Sequence, residues 1–295
     1  MLAVVGTIPA EDFPLTAGKV HLETDRIRIA DHRIPINRGT PALLAAALCA
    51  AQVMGGSPVF AYLVGDTGLG RGSRRLYEYL AERLGEAAFH TIAFHYLQPD
   101  VDWHNKVLFA IDDMNTRPTL VADAGFMYAA KMSGQSAEYD LFTPDAGELA
   151  FLADEEAPHP FYTRGFILHD GAPVPELIAR AYANDNAARY LLVKGEKDHV
   201  ADRSGILDTV DRPAEAAMEA IGGTGDTLTG IVSALIAAGL GLTSAALLAA
   251  RVNRFAGLYA KPTPATQVMD LIRHIPTAMQ ELFEKKGDEK REVNA

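Results

Sequence analysis

Hydrophobic and polar positions along the chain follow two alternating patterns. Short apolar and β-branched runs predict strands, and the longer stretches between them have helical spacing. The predicted strands are residues 2–6, 58–65, 89–95, 118–123, 139–143 and 189–195. The predicted helices between them are residues 40–54, 72–84, 100–114 and 175–186. This βαβα alternation, with nearly continuous apolar strands, predicts an α/β fold: a doubly wound, mainly parallel sheet flanked by helices on both faces.

The pattern changes after Gly222, where only helices are predicted, over residues 224–238, 243–260 and 264–284. Near the start, strand-like residues within 17–37 predict a small hairpin or lid that projects from the main sheet. Residues 286–295 are charged and lack apolar periodicity, which predicts a disordered tail. No internal repeat or linker divides the rest, so we expect one domain over residues 1–285.

Composition narrows the classes of function. The 295 residues carry a formal net charge of -11, which argues against nucleic-acid binding or an anionic membrane surface as a partner. The chain has one cysteine, so an internal disulfide is excluded. Neither a signal peptide nor a membrane-spanning run is evident. We therefore expect a cytoplasmic protein that acts on a small molecule, and the alanine-rich helices leave a homo-oligomer open.

The sequence GGTGD, at residues 222–226, begins an apolar helix with its most flexible residues and a single carboxylate. Glycines allow a ligand to approach the backbone, and a helix N-terminus offers unpaired N–H groups to an anion. Asp226, in the first turn of this helix, faces the same space, where a carboxylate can accept a proton during phosphoryl transfer. The alternative is that Asp226 only caps the helix.

The stretch GTGDTLTG and the Ala-, Leu- and Ile-rich helix after it resemble the signature of the ribokinase-like superfamily. That resemblance implies a ribokinase-like fold and a Mg²⁺-dependent reaction with ATP or ADP. It implies Asp226 as the general base. It also implies that the backbone of Gly223, Thr224 and Gly225 forms an anion hole for the transferred phosphate.

A second motif, LFTPDAGELAFL, spans residues 141–152. Pro144 is predicted to begin a helix, and Asp145 and Glu148 are three residues apart on it, where both could hold Mg²⁺. The motif resembles the superfamily's TPNxxE element, with Asp145 in place of asparagine, and the TPHPGE of NAD(P)H-hydrate dehydratases. The alternative is a helix start with a capping glutamate.

Two strand ends carry further candidates. Lys194 and Gly195 match the superfamily's Lys-Gly pair, which implies a nucleotide-binding role, although Lys-Gly after a strand is also an ordinary turn. LVADAGFM resembles the dehydratase element VLDADAL, with Asp123 kept as a substrate-side candidate. Gly125 stands where that element has its second aspartate. The dehydratases' Gly-Asn before the glycine turn is also missing.

Residues 38–72 resemble the layout of sugar kinases, and GLGRG within them resembles the GPGLGR turn of the dehydratases. Gly39, Asp66 and Gly68 are candidates for binding the substrate. Packing explains the alanines here, and a turn explains most of the glycines. A separate cluster of His159, Tyr162 and Arg164 is either a lid or substrate clamp, or an aromatic-rich loop packed on the core.

These motifs leave three functions open. The first, slightly favoured here, is a small-molecule kinase that transfers a phosphoryl group from a Mg-nucleotide to a hydroxyl. The second is an ADP- or ATP-dependent NAD(P)H-hydrate dehydratase, which shares the same first step. The third is a nucleotide-binding module that has lost catalysis, and its support is the change at Gly125.

Overall fold

The computed structural model describes residues 1–155, 172–263 and 265–293. The cluster of His159, Tyr162 and Arg164 lies outside these residues. Within them no helix is both long enough and apolar enough to cross a membrane.

One sheet runs through the centre of the structure. Its strands are β1 (Leu2–Ile8), β2 (Thr16–Leu22), β3 (Arg26–Ile29), β4 (His32–Pro35), β5 (Val59–Gly65), β6 (Thr91–His95), β7 (Thr119–Ala122), β8 (Leu141–Phe142), β9 (Tyr190–Val193), β10 (Asp198–Asp202) and β11 (Gly205–Val210). Their spatial order is β11-β10-β9-β8-β7-β6-β1-β5-β2-β3-β4. The strands from β9 to β5 in this order are parallel, and the pairs at both edges are antiparallel. The predicted α/β class, a mainly parallel sheet flanked by helices, is confirmed.

Helices cover both faces of the sheet. They are α1 (Thr40–Val53), α2 (Arg71–Arg83), α3 (Val101–Asp112), α4 (Gly125–Met132), α5 (Ala146–Ala153), α6 (Val174–Ala183), α7 (Thr224–Ala237), α8 (Leu242–Ala260), α9 (Val268–Ile272) and α10 (Ile275–Val293). Helices α1 and α7–α10 form one core with the sheet, and α2–α6 form the other. Alternate residues of β1 enter opposite cores: Leu2 and Val4 face the first, and Ala3 and Val5 the second.

Antiparallel strands extend the sheet at each edge. The stretch predicted to project as a lid within 17–37 instead joins the sheet, because Thr16–Lys19 of β2 pair with β5. The rest of β2 pairs with β3, and β3 pairs with β4. At the opposite edge β10 and β11 form a hairpin that the sequence patterns miss.

Several helix boundaries differ from the sequence prediction. Helix α5 begins at Ala146 with Asp145 as its N-cap, so Pro144 precedes the helix rather than beginning it. The helix predicted over 264–284 is two helices, α9 and α10. Helix α10 runs to Val293, so the backbone is helical in most of the tail for which the sequence predicts disorder.

Helices α1 and α7 pack with almost no side-chain layer between them. A Cβ atom built on Gly230 of α7 would lie 2.2 Å from the carbonyl oxygen of Leu43 in α1. Only glycine fits such a close approach. This contact fixes the N-termini of the two helices beside each other at the C-terminal edge of the parallel strands.

Candidate active site

The predicted site residues lie at one edge of the sheet, where the parallel strands end. His95 ends β6, and Asp123 and Lys194 directly follow β7 and β9. Helix α7 brings Asp226 to the same edge. Ligand sites in open α/β sheets lie at this edge, outside the carboxyl ends of the strands.

The glycine turn forms the start of α7. Gly223 is the N-cap with φ of 105°, a left-handed conformation that favours glycine. Its missing Cβ also leaves room for Val268 of α9, whose Cγ2 would be 3.0 Å away. As the first residues of a helix, Thr224 and Gly225 have N–H groups with no intrahelical acceptor. The turn therefore has the backbone that an anion hole requires.

Asp226 is held by two donors from other elements. The backbone N–H of Gly39 donates to Oδ2 at 2.6 Å, and His95 Nε2 lies 3.0 Å from Oδ1. Burial alone would raise the pKa of Asp226, but His95, Lys194 and the Gly39 N–H outweigh it and lower the pKa below the ordinary value. Asp226 is therefore an ionised carboxylate at neutral pH, 8% exposed, as a general base requires.

Asp123 has different partners. Lys194 Nζ donates to both of its oxygens, at 2.9 and 3.0 Å, and Thr229 Oγ1 donates to Oδ2 at 2.6 Å. Burial works against the charged form of Lys194, but the negative charges of Asp123 and Glu148 prevail and raise its pKa. Asp123, predicted on the substrate side, thus forms a buried ion pair with the predicted nucleotide-binding lysine.

His95, Asp123 and Asp226 each offer a ligand atom within 4.8 Å of the others. Lys194 and Thr229 already engage Asp123, while Gly39 and His95 engage Asp226. The negative charge of this group is thus met by an ammonium group and by hydrogen-bond donors.

Asp145 and Glu148 form a capping box at the start of α5. Glu148 N donates to Asp145 Oδ1 at 2.7 Å, and Asp145 N donates to Glu148 Oε2 at 2.8 Å. Burial, together with the nearby charges of Asp123 and Asp145, raises the pKa of Glu148 to about 8 despite the opposing charge of Lys194. Each capping interaction uses one carboxylate oxygen, so a second oxygen on each residue fits the all-oxygen coordination that Mg²⁺ prefers.

Asp66 organises its own turn. Gly68 N and Gly70 N donate to Oδ1, while Ser73 donates to Oδ2 from both its backbone N and its Oγ. Burial would raise the pKa of Asp66, but these hydrogen bonds lower it. Gly68 has φ of 94° within this turn. Of the residues predicted on the substrate side, Asp66 and Gly68 lie in the β5–α2 turn, whereas Gly39 contacts Asp226 directly.

Two neighbouring residues of α8 hold the turns on the nucleotide side. Asn253 donates to the Thr224 carbonyl at 3.1 Å, in the glycine turn. Arg254 donates to the carbonyls of Gly195 and Glu196, and it pairs with Asp198 at 2.7 Å. One helix therefore orients both the glycine turn and the predicted Lys-Gly turn.

Gly125 has a packing reason for being glycine. A Cβ atom there would lie 2.2 Å from the carbonyl oxygen of Leu97. The preceding residue, Ala124, has φ of 52°, so the backbone between β7 and α4 is tightly constrained. The change from the dehydratase element is thus accommodated by the neighbouring backbone.

Tyr96 places an exposed aromatic ring beside the partners of Asp226. Its ring lies 4.1 Å from the His95 ring, centroid to centroid, and 3.6 Å from a Cβ built on Gly39. Both neighbours are hydrogen-bonded to Asp226. Tyr96 is 48% exposed and has φ of 54°, and its carbonyl accepts a hydrogen bond from Thr7 at 2.9 Å.

The sequence patterns identify most of this cluster but miss His95, Tyr96, Thr229 and the α8 pair. His95 reads as an ordinary polar position within a predicted strand. Its position at the end of a parallel strand was the available signal, because such ends gather at the ligand edge.

Comparison with known proteins identifies the family. A family model described as NAD(P)H-hydrate dehydratase, of the carbohydrate-kinase type, matches residues 100–277. The chain belongs to the NAD(P)H-hydrate dehydratase family. The matched segment contains Asp123, the 145–148 pair, Lys194 and the 223–226 turn, whereas Gly39, Asp66 and His95 precede it.

Two further proteins are similar to this chain in sequence. An uncharacterised protein of Methanocaldococcus jannaschii is 42% identical over 217 residues, which cover 73% of this chain and 89% of that protein. An ADP-dependent (S)-NAD(P)H-hydrate dehydratase of Cenarchaeum symbiosum is 32% identical over 178 residues, 59% of this chain and 56% of that protein.

The fold agrees with the family. A ribokinase-like superfamily protein from Enterococcus faecalis superposes with a TM-score of 0.56 at 14% identity, covering 95% of this chain and 86% of that one. The expected ribokinase-like fold is confirmed, and the family match identifies the chain as an enzyme of the NAD(P)H-hydrate dehydratase family. The family match supports the dehydratase alternative better than the kinase that the sequence motifs slightly favour.

Proposed function

We propose that this protein is a nucleotide-dependent NAD(P)H-hydrate dehydratase that works through phosphoryl transfer. The observation that carries the proposal is the ionised carboxylate of Asp226 at the N-terminus of α7, beside the unpaired N–H groups of Thr224 and Gly225. A proton acceptor and an anion site then lie together, as phosphoryl transfer to a hydroxyl requires.

In the first step Asp226 accepts the proton of the hydrate's ring hydroxyl. The hydroxyl oxygen forms a bond to the terminal phosphorus as the bond from that phosphorus to the nucleotide's bridging oxygen breaks. The backbone of Gly223, Thr224 and Gly225 stabilises the charge on the transferring group. Asp145 and Glu148 would hold Mg²⁺, which neutralises phosphate charge when bound.

In the second step the ring C–O bond breaks and phosphate leaves with the electron pair. The adjacent ring carbon loses a proton to the departing phosphate, and the C=C bond forms again. With ADP, the hydrate is converted to NAD(P)H, and AMP and phosphate are released. We propose ADP as the donor because the Cenarchaeum symbiosum relative is named as ADP-dependent.

Lys194 contributes positive charge at the nucleotide side. Its ammonium is held by Asp123, and its Nζ lies 3.5 Å from a Cβ built on Gly225, so it borders the anion hole. A phosphate oxygen reaching the glycine turn would then meet both backbone N–H groups and a cation.

The position of Tyr96 favours an acceptor molecule with a flat ring. The hydrated nicotinamide keeps a planar conjugated amide, and an exposed aromatic ring beside the base suits stacking on such a group. Replacing Tyr96 with Ala should raise KM for the hydrate, and Tyr96→Phe should retain most of the affinity.

The test is recovery of NADH from its hydrate, followed by the absorbance of the reduced nicotinamide. We expect recovery that depends on ADP or ATP and on Mg²⁺, with AMP or ADP as the nucleotide product. Recovery without nucleotide, or none with either nucleotide, would refute the proposal. An Asp226→Asn protein that still melts cooperatively is the control for contaminating activity.

A small-molecule kinase is the second candidate, and one observation favours it. Gly39, in the segment that resembles sugar kinases, donates its N–H to Asp226 at 2.6 Å. Incubation of Mg-ATP with NADH hydrate, and separately with a panel of sugars and vitamin precursors, separates the two functions. A kinase releases a phosphorylated acceptor, whereas the dehydratase releases inorganic phosphate.

A further inference from the structure

Thr40, His95 and Asp226 form a hydrogen-bonded row across three elements. Thr40 Oγ1 of α1 lies 3.0 Å from His95 Nδ1, and His95 Nε2 lies 3.0 Å from Asp226 Oδ1. His95 is 0% exposed and Thr40 is 1% exposed. Gly6 makes this possible, because a Cβ there would lie 2.6 Å from Thr40 Oγ1.

The direction of each hydrogen bond follows from the charge on Asp226. An ionised carboxylate can only accept, so His95 must carry a proton on Nε2 and donate it. In the neutral imidazole Nδ1 is then an acceptor, and the Thr40 hydroxyl donates to it. The hydroxyl thereby selects the tautomer that presents a donor to the base.

A hydroxyl, an imidazole and a carboxylate in a row also resemble the nucleophilic triads of hydrolases. Burial excludes that role for Thr40, because its hydroxyl lies behind the imidazole and is closed to a substrate. Asp226, at 8% exposure, is the most exposed member of the row. A substrate can therefore reach this row only at the carboxylate of Asp226.

We propose that His95 and Thr40 are positioning residues for the base. Together with the N–H of Gly39, they hold the Asp226 carboxylate in one orientation, with its remaining lone pairs directed to the acceptor hydroxyl. The inference rests on the proposed role of Asp226 as base. It assigns a function to residues that lie before the family-matched segment.

Other charged or titratable groups also lie near Asp226, and the experiment must keep them constant. Lys194 and Asp123 approach it from β9 and β7, and Tyr96 lies beside it after β6. Arg38 runs along the glycine turn, with its Cδ 3.6 Å from a Cβ built on Gly222. Thr40→Val leaves all four groups in place and removes only the hydroxyl that selects the tautomer.

The first measurement needs no turnover. Protein labelled with [4-¹³C]aspartate is titrated by NMR, and Asp226→Asn identifies the resonance. We expect the apparent pKa of Asp226 to rise in Thr40→Val and to rise further in His95→Leu. His95→Gln, whose amide can still donate, should restore part of the difference. An unchanged titration in both Thr40→Val and His95→Leu would overturn the inference.

The matched control is His104→Gln. His104 is likewise 0% exposed and bonded at both ring nitrogens, to Tyr139 at 2.8 Å and to Ser133 at 3.0 Å, yet it lies in the other core. It should cost stability without changing the titration of Asp226. If His104→Gln changes that titration as much as His95→Gln does, the change comes from a general loss of packing and not from the contact between His95 and Asp226. The inference then fails. If His95→Leu does not fold, Thr40→Val and His95→Gln decide the outcome.

Turnover is the second measurement. With NADH hydrate and ADP, we expect kcat to fall about 10- to 100-fold in His95→Leu, with the KM for ADP unchanged, because misplacing a catalytic group by about 1 Å costs on this order. Unchanged kcat would refute the positioning role. A shifted titration in a protein that never turns over the hydrate would instead refute the proposed function alone.

Discussion

Asp123 and Asp226 are the same residue type, both buried and close together, yet their surroundings give them different roles. Asp123 accepts from the ammonium group of Lys194 and from Thr229, so both of its oxygens are engaged by strong donors. Asp226 accepts from an imidazole and a backbone N–H, and it retains some exposure. The difference teaches that two buried carboxylates of the same type can be held by different donors, which supports the proposal that Asp226, and not Asp123, takes a proton.

The largest effect should come from removing the base. Asp226→Asn keeps the shape of the side chain but cannot accept the proton, so kcat should fall about 100- to 10,000-fold. Nucleotide binding, measured by thermal shift with ADP, should persist because the backbone of the glycine turn is unchanged. Full activity in this variant would contradict the assignment of Asp226.

The next effect is on stability, at the other carboxylate. Lys194→Met leaves the buried Asp123 without its counter-charge, which should lower the free energy of unfolding by about 3–5 kcal/mol. The double variant with Asp123→Asn should be more stable than Lys194→Met alone. Chemical denaturation of the four proteins in this cycle checks it, and additive losses would show that the pair is not coupled.

A smaller loss of stability is expected from changing the backbone beside Asp123. Gly125→Ala should destabilise the protein by about 1–3 kcal/mol because its Cβ meets the Leu97 carbonyl. Gly125→Asp, which restores the family's second aspartate, should lose stability as well and gain no activity. Gly241→Ala is the control, since a Cβ there meets nothing within 4 Å. Equal melting temperatures for Gly125→Ala and Gly241→Ala would contradict this account.

The smallest effect concerns a third carboxylate, Glu148. Burial raises its pKa to about 8, and a metal ligand must be deprotonated. If Glu148 holds Mg²⁺, the affinity for Mg²⁺ should rise as pH increases toward about 8 and then level off. Calorimetric titration of the wild type from pH 6 to 9, beside Glu148→Gln, measures it. A wild-type pH dependence equal to that of Glu148→Gln would exclude this ligand.

The sequence predicted the parts of the molecule whose signals are local. Apolar runs located the six parallel strands, and glycines before an apolar helix located Asp226. Long-range pairing was harder to foresee, because the hydrogen bond from His95 to Asp226 spans 131 positions in the chain. The β10–β11 hairpin was missed because the apolar residues of β11 are few and are interrupted by Asp208 and Thr209, so this largely exposed strand lacks the continuous apolar run that identified the central strands.

In two places the structure adds a reason that the local sequence does not show. Asp66, at a strand end with glycines, is predicted on the substrate side, and in the structure its oxygens accept hydrogen bonds from the N–H groups of the following turn. Gly125 suggested lost chemistry, whereas the position of the Leu97 carbonyl accounts for it. In both cases the deciding atom belongs to the backbone, which side-chain identity does not report.

The close contact between Gly230 and Leu43 limits which residues can be changed to alter the acceptor specificity. It couples α1 and α7 as one rigid unit, so a substitution in residues 38–40 that displaces α1 also displaces the base. Redesign should therefore begin with Tyr96, whose ring lies beside His95 and Gly39 and which belongs to neither helix. Substitutions at that position would change which acceptor is recognised while Asp226 keeps its position.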